Sequence, residues 1–205
     1  MIYKIFQASP WIDTKEKKYL FECIKSNKIS EGVFSEKFKK KIKKITKSKF
    51  VSLAPNGTLG LYIAIKSLNL PQNSEIIVPN FSFYASATSV VFAGMKPVFA
   101  DVNRDDFNLD PKKIQKLITK KTSAIMIVHT YGQSAKIDEI IKISRKYNLK
   151  IIEDAAQAFN IFYKNKHCGT FGDVGVISFF ADKSITTGEG ATILTQKKKI
   201  YKKIQ

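Results

Sequence analysis

A lysine set between two apolar runs is the residue in this sequence best placed for covalent chemistry. Lys183 follows Val174–Phe180, a β-type run that reads as a buried strand, and precedes a Thr-Thr-Gly-Glu-Gly turn and a second apolar run, Ala191–Leu194. Loss of water lowers the proton affinity of an amine and makes it a nucleophile toward an aldehyde. In a chain this rich in lysine the same residue also reads as a solvated loop lysine, so its company decides. Asn56-Gly57-Thr58 links a short strand to a helix. N–H groups converge at such a junction and the helix dipole favours negative charge. It reads equally well as an ordinary turn capped by Thr58. Asp154 ends another apolar strand, as a fixed carboxylate or as an N-cap for Ala155–Ala158.

These residues need elements to bring them together. The pattern predicts a helix from Asp13 through Ile24, with Asp13 or Thr14 as its cap, and a second from Ser35 to about Ile45. Met1–Ser9 reads as an extended lead-in and Ser26–Gly32 as a loop. Strands are expected at Phe50–Ala54, Glu75–Pro79, Lys96–Asp101, Ser123–His129 and Leu149–Asp154. Helices are expected at Leu59–Leu68, up to Phe92, from Pro111 to about Ile118, and at Ile137–Tyr147. Strands alternating with helices at this spacing predict a largely parallel sheet covered on both faces. Ligands of such folds collect beyond the carboxyl ends of the strands. Gly57, Phe83, His129, Asp154 and Ser178 all follow strand ends and are expected on one rim.

Composition narrows the partners. The 205 residues, 44% hydrophobic, suffice for a sizeable core, and no run is long enough to cross a membrane. Cys23 and Cys168 stand far apart, and with two histidines they form no metal-ligand spacing. No metal is expected, and a reducing cytoplasm is the natural setting. The net charge of +18 is almost all lysine, with arginine only at Arg104 and Arg145. Phosphate and base recognition favours the arginine fork, so compositional bias is preferred to nucleic-acid binding.

The rim set suits pyridoxal 5′-phosphate (PLP). Asn56, Gly57 and Thr58, with Ser178 as a further donor, would cradle its phosphate. Phe81, Phe83 or Tyr84 would face its ring. Asp154 would keep the ring nitrogen protonated, itself staying ionised beside that cation, and Lys183 would bond to the aldehyde.

Together these stretches resemble the DegT/DnrJ-like sugar aminotransferases, fold-type-I PLP enzymes. The resemblance runs from about residue 5 to Gln205. Its carriers include Asn56–Leu59, Glu75–Phe83, Pro97–Val102, Val128–Gln133, Ile152–Ala158, Gly172-Asp173, Ser178–Lys183 and Thr187–Gly190. It implies a three-layer α/β/α large domain with a mostly parallel mixed sheet. It implies Lys183 as the lysine bonded to the cofactor and moving protons, with Asp154 at the ring nitrogen. Gln157 would lie beside the ring oxygen and Phe83 on the ring face. Thr58, the Leu59 N–H and the Ser178 hydroxyl would hold the phosphate beside Gly57. Ser30, Glu31 and Gly32 resemble a loop near the sugar substrate, and His129 a residue under the pocket.

The resemblance further implies transfer of an amine from glutamate to a nucleotide-linked keto-sugar for surface polysaccharide. The enzyme would be a cytoplasmic homodimer. On this reading residues 1–35 form an N-terminal segment and substrate-side loop, and 36–205 the PLP-binding domain, with a smaller C-terminal domain beyond Gln205. Alternatives are a non-catalytic protein of the same fold and a PLP-dependent sugar dehydratase. The latter carries histidine where this chain has Lys183. One departure concerns chemistry: Asp182 replaces the family's usual threonine, and an acid there would hold the Lys183 ammonium if it points inward.

Overall fold

The computed structural model describes residues 9–205, so all of the expected lead-in but Ser9 lies outside the described residues. Helix α1 (Thr14–Lys25) is opened by a capping box. The Asp13 carboxylate accepts from the N–H of Lys15 at 2.7 Å, and Glu16 reaches back to the N–H of Asp13 at 2.9 Å. Helix α2 (Val33–Thr46) follows and buries Ile42. Then come β1 (Phe50–Ala54), α3 (Gly57–Ser67), β2 (Glu75–Pro79), α4 (Ala85–Phe92) and β3 (Lys96–Ala100). Next are α5 (Pro111–Ile114), β4 (Thr122–Val128), α6 (Ile137–Lys146) and β5 (Lys150–Asp154). A small hairpin of β6 (Phe162–Tyr163) and β7 (Lys166–His167) precedes β8 (Val174–Ser178), β9 (Ala191–Thr195) and α7 (Lys198–Ile204).

Seven strands form one sheet in the order β1-β9-β8-β5-β4-β2-β3. The pairs from β8 to β3 are parallel, and β9 runs antiparallel to both β8 and β1. The sheet is therefore mixed and mostly parallel, as expected. Strand pleat sends alternate side chains to opposite layers. Ala124, Met126, Ile152, Val174 and Val176 pack on the side of α3, α4 and α7. Ile125, Ile127 and Ile151 pack with Ile140 and Ile143 of α6 on the other. Buried apolar area on both faces is what makes such strands read as continuous hydrophobic runs.

Helix α3 lies close over β8, and a Cβ at Gly60 would come within 2.9 Å of Val176 Cγ1. That contact requires glycine. Val128 is level with Asp154, and Asp154 with Val176. This register brings the ends of β4, β5 and β8 to one rim. Helix α1 buries no residue at all. Among the described residues, no helix is long and apolar enough to cross a membrane.

Candidate active site at the strand ends

The rim opens into a cavity of about 580 Å³, reached by residues from six parts of the chain, one of them Thr130-Tyr131 after β4. Asn56, Gly57 and Thr58 come from the start of α3, and Phe81, Phe83 and Tyr84 from the turn before α4. Asp154, Ala156 and Gln157 follow β5, Ser178 ends β8, and Lys183 lies on the loop between β8 and β9. Of the five residues expected on one rim, Gly57, Phe83, Asp154 and Ser178 line this cavity and His129 does not.

At the α3 end, the Asn56 side chain accepts from the Leu59 N–H at 3.0 Å. Asn56, rather than Thr58, is the cap. This corrects the expectation for Leu59: its N–H is committed to the helix cap, and Leu59 does not line the cavity. The N–H groups of Gly57 and Thr58 open the helix and have no intrahelical acceptor. Gly57 faces Ser178 so closely that a Cβ would lie 3.2 Å from Ser178 Cβ and 3.3 Å from its Oγ. The Ser178 oxygen accepts from the Phe180 N–H at 3.3 Å, which leaves its own proton free to donate.

Asp154 is buried. Its two oxygens are engaged separately: Ser86 Oγ donates to Oδ2 at 2.6 Å, and the Ala156 N–H to Oδ1 at 3.1 Å. Burial pushes the Asp154 carboxyl above the ordinary range. The hydrogen bonds from Ser86 and Ala156 and the Lys183 cation oppose that shift without cancelling it. A cation placed against the carboxylate would favour its ionised form. The proposed cap role is met in part, by the Ala156 contact.

Behind Asp154, the pleat turns Glu153 to the opposite layer. Its carboxylate accepts from His129 Nε2 at 3.0 Å, Gly169 N–H at 2.7 Å and Gly172 N–H at 2.6 Å. The Ala135 N–H donates to His129 Nδ1 at 3.3 Å, so the ring proton sits on Nε2. His129 is fully buried, and its backbone N–H donates to the Asp154 carbonyl at 3.1 Å. It is buried behind Asp154 and does not line the cavity, which corrects its expected place on the rim.

The lysine loop is anchored by Phe179, a buried ring packed against Phe38 and Phe159. Its N–H donates to the Gly190 carbonyl at 2.9 Å, and its carbonyl accepts from the Thr187 N–H at 3.0 Å. Lys183 is 19% exposed, and its Nζ lies 2.9 Å from Asp182 Oδ1. The acid does point at the lysine. Gln157 Oε1 accepts from the N–H of Tyr131 at 2.7 Å. Tyr131 holds φ 53, a costly backbone for an aromatic residue. With its oxygen so engaged, the Gln157 amide nitrogen is the group left for a ligand.

Two polar residues at the site escaped the sequence reading. Ser86 meets Asp154 across 68 positions of sequence, a distance that no local pattern encodes. Thr130 lines the cavity, yet its buried hydroxyl has no hydrogen-bond partner among the described residues. Conversely, Ser30, Glu31 and Gly32 do not line the cavity. They sit on the loop between α1 and α2, where Ser30 and Glu31 are exposed, because α1 is not packed into the core.

Known proteins are similar to this chain in sequence and fold. The model of the DegT/DnrJ/EryC1/StrS aminotransferase family matches residues 10–205. A GDP-perosamine synthase of Caulobacter vibrioides is 40% identical over 193 residues, which cover 94% of this chain and 52% of that protein. Among solved structures, Helicobacter pylori PseC, an aminotransferase involved in pseudoaminic acid biosynthesis, superposes with a TM-score of 0.94 at 28% identity. It covers 98% of this chain and 55% of its own. The E. coli GDP-4-keto-6-deoxy-D-mannose-3-dehydratase, solved with bound hydrated PLP, gives a TM-score of 0.90 at 28% identity, covering 95% and 51%. The chain spans about half the length of the curated relatives it matches. On the match across residues 10–205, the chain belongs to the DegT/DnrJ/EryC1/StrS aminotransferase family.

Proposed function

We propose that this chain holds PLP and carries the chemical centre of a transaminase that moves an amine from glutamate to a nucleotide-linked keto-sugar. The amino sugar would serve surface polysaccharide, and the cytoplasm and a homodimeric enzyme are part of the same reading. The observation that carries it is the convergence of Lys183, Asp154, Ser178 and the Gly57-Thr58 junction on one cavity. Residues 36–205 would be the cofactor-holding domain and 1–35 the substrate-side segment.

The residues fit the group. Gly57 leaves a cradle that a Cβ would fill, beside free N–H donors and a free Ser178 proton. Thr130, which lines the cavity, carries a buried hydroxyl without a partner among the described residues. A buried carboxyl with a raised proton affinity suits a cationic ring nitrogen, which favours its charged form. When bound, PLP supplies an electron sink and a carbon that carries the amine between substrates.

The chain's own part is positioning and proton movement. The Gly57 and Thr58 N–H groups, with the Thr58 and Ser178 hydroxyls, would hold the phosphate at the helix N-terminus. Phe83 would pack on the ring, and the Gln157 amide nitrogen would donate to the ring oxygen. Lys183 Nζ would hold the cofactor through its aldehyde carbon, and as a free amine it would take and return a proton at the substrate. A dehydratase reading is disfavoured because Lys183 stands where that class carries histidine.

The test is to incubate the purified protein with PLP, reduce with borohydride and map the peptides, with Lys183→Ala as control. One pyridoxyl adduct on Lys183, absent from the variant, is the expected result. Its absence both here and in a chain extended to the relatives' length would overturn the reading.

A further inference from the structure

We infer that Ser86 is a positioning residue that acts on the cofactor's ring nitrogen through Asp154. The inference rests on the function proposed above and adds a residue to it.

Three observations carry it. Ser86 Oγ and Asp154 Oδ2 are 2.6 Å apart, the short distance of a hydroxyl donating to a carboxylate. Both residues are buried, Ser86 at 1% and Asp154 at 5% exposure, so water does not compete for either partner. Ser86 also stands in the first turn of α4, and its N–H donates to the carbonyl of Phe83 at 3.1 Å. That single turn therefore carries both the aromatic residue at the cavity and the hydroxyl on the carboxylate.

The chemistry follows from what each donor is able to do. The Ala156 N–H only donates, so its contact with Oδ1 always favours the ionised form. A serine hydroxyl donates to a carboxylate but accepts from a carboxylic acid. Together the two donors fix rotation about the Asp154 side chain, one on each oxygen. Burial works against the charge, and the Ser86 bond is the strongest of the contacts opposing it. A charged, rotationally fixed Asp154 accepts a proton-bearing ring nitrogen without reorganising. Without Ser86 the carboxyl is freer to turn and to take up a proton, and a neutral acid attracts that nitrogen less.

The experiment compares two probes on the purified protein: PLP, and its 1-deaza analogue with carbon in place of the ring nitrogen. Ser86→Ala is expected to weaken PLP by about tenfold or more, the scale of a hydrogen bond to a charged group. The affinity for the analogue should be unchanged, because the analogue lacks the atom through which Ser86 acts. Ser86→Thr, which keeps the hydroxyl, should restore PLP binding. If Ser86→Ala does not fold, Ser86→Cys serves as the weak-donor variant, with the same selective loss expected. Equal binding of PLP by variant and wild type, or equal loss of both probes, would overturn the role of Ser86 and leave the PLP reading intact. Failure of the wild type to bind PLP would instead overturn the reading on which this inference rests.

Discussion

The Asp182 carboxylate lies 2.9 Å from the amine of Lys183, at the mouth of the cavity and on the same loop. Asp182 is half exposed, so solvent screens the pair and its strength is modest. The amine must leave this partner before it attacks an aldehyde. Asp182→Asn keeps the shape and removes the charge. The rate of borohydride-trapped labelling of Lys183 should then rise about two- to fivefold, the scale of a half-exposed ion pair. At sub-saturating PLP, a slower rate would show that Asp182 assists the lysine instead, and an unchanged rate that the pair does not restrain it.

Asp154 makes an opposite pair of predictions for the free and loaded protein. Burial raises its folded proton affinity above the unfolded value. The folded state then binds more protons, so this group's contribution to stability is fully present below the ordinary carboxylate range. It is lost as pH rises through the raised folded value. Asp154→Asn removes the charge, so urea melts at neutral pH should show the variant more stable than wild type. The advantage should vanish under acid conditions. With PLP present the order should reverse at neutral pH, because the amide does not offer a negative charge to the ring nitrogen.

Much of this was legible along the chain, and the exceptions have physical reasons. Strands β1 and β2 are apolar runs closed by Pro55-Asn56 and Pro79-Asn80, and their observed bounds, Phe50–Ala54 and Glu75–Pro79, are those expected. The β6–β7 hairpin was not expected. It has two residues per strand, and its turn residues Lys164 and Asn165 both take positive φ without a glycine to announce it. Helix α1 was expected from its periodicity, yet Tyr19, Leu20 and Ile24 are more than half exposed. Periodicity shows that a helix has an apolar face, and says nothing of what covers it. At the site, Lys183, Asp154 and Gly57 were visible because each interrupts or ends a pattern. Ser86 and Thr130 lie inside ordinary ones.

Thr130 should report the cavity's contents from the other side. Its hydroxyl is buried without a partner, a state that costs the free protein about 1 kcal/mol or more. Thr130→Val has nearly the same shape and no hydroxyl. The free variant should be more stable than wild type by about that amount in urea melts. If the hydroxyl meets a bound ligand, PLP should stabilise the variant less than it stabilises wild type. Equal stabilisation would show that Thr130 makes no contact with it.

Gly57 offers the sharpest separation of fold from binding. Its φ does not lie in the left-handed region, and alanine is the better helix former, so the backbone tolerates the change. The new Cβ, however, would enter the space against Ser178, 3.2 Å from its Cβ. That is tighter than ordinary van der Waals contact, and it falls where the free N–H groups converge. Gly57→Ala should melt within about 1 kcal/mol of wild type. Its affinity for PLP, and for inorganic phosphate used as a probe of the cradle alone, should fall by about tenfold or more, the scale of losing a charge-assisted hydrogen bond. Pyridoxal, which lacks the phosphate, should label Lys183 equally in variant and wild type. A variant that keeps its phosphate affinity would place the anion site away from the start of α3.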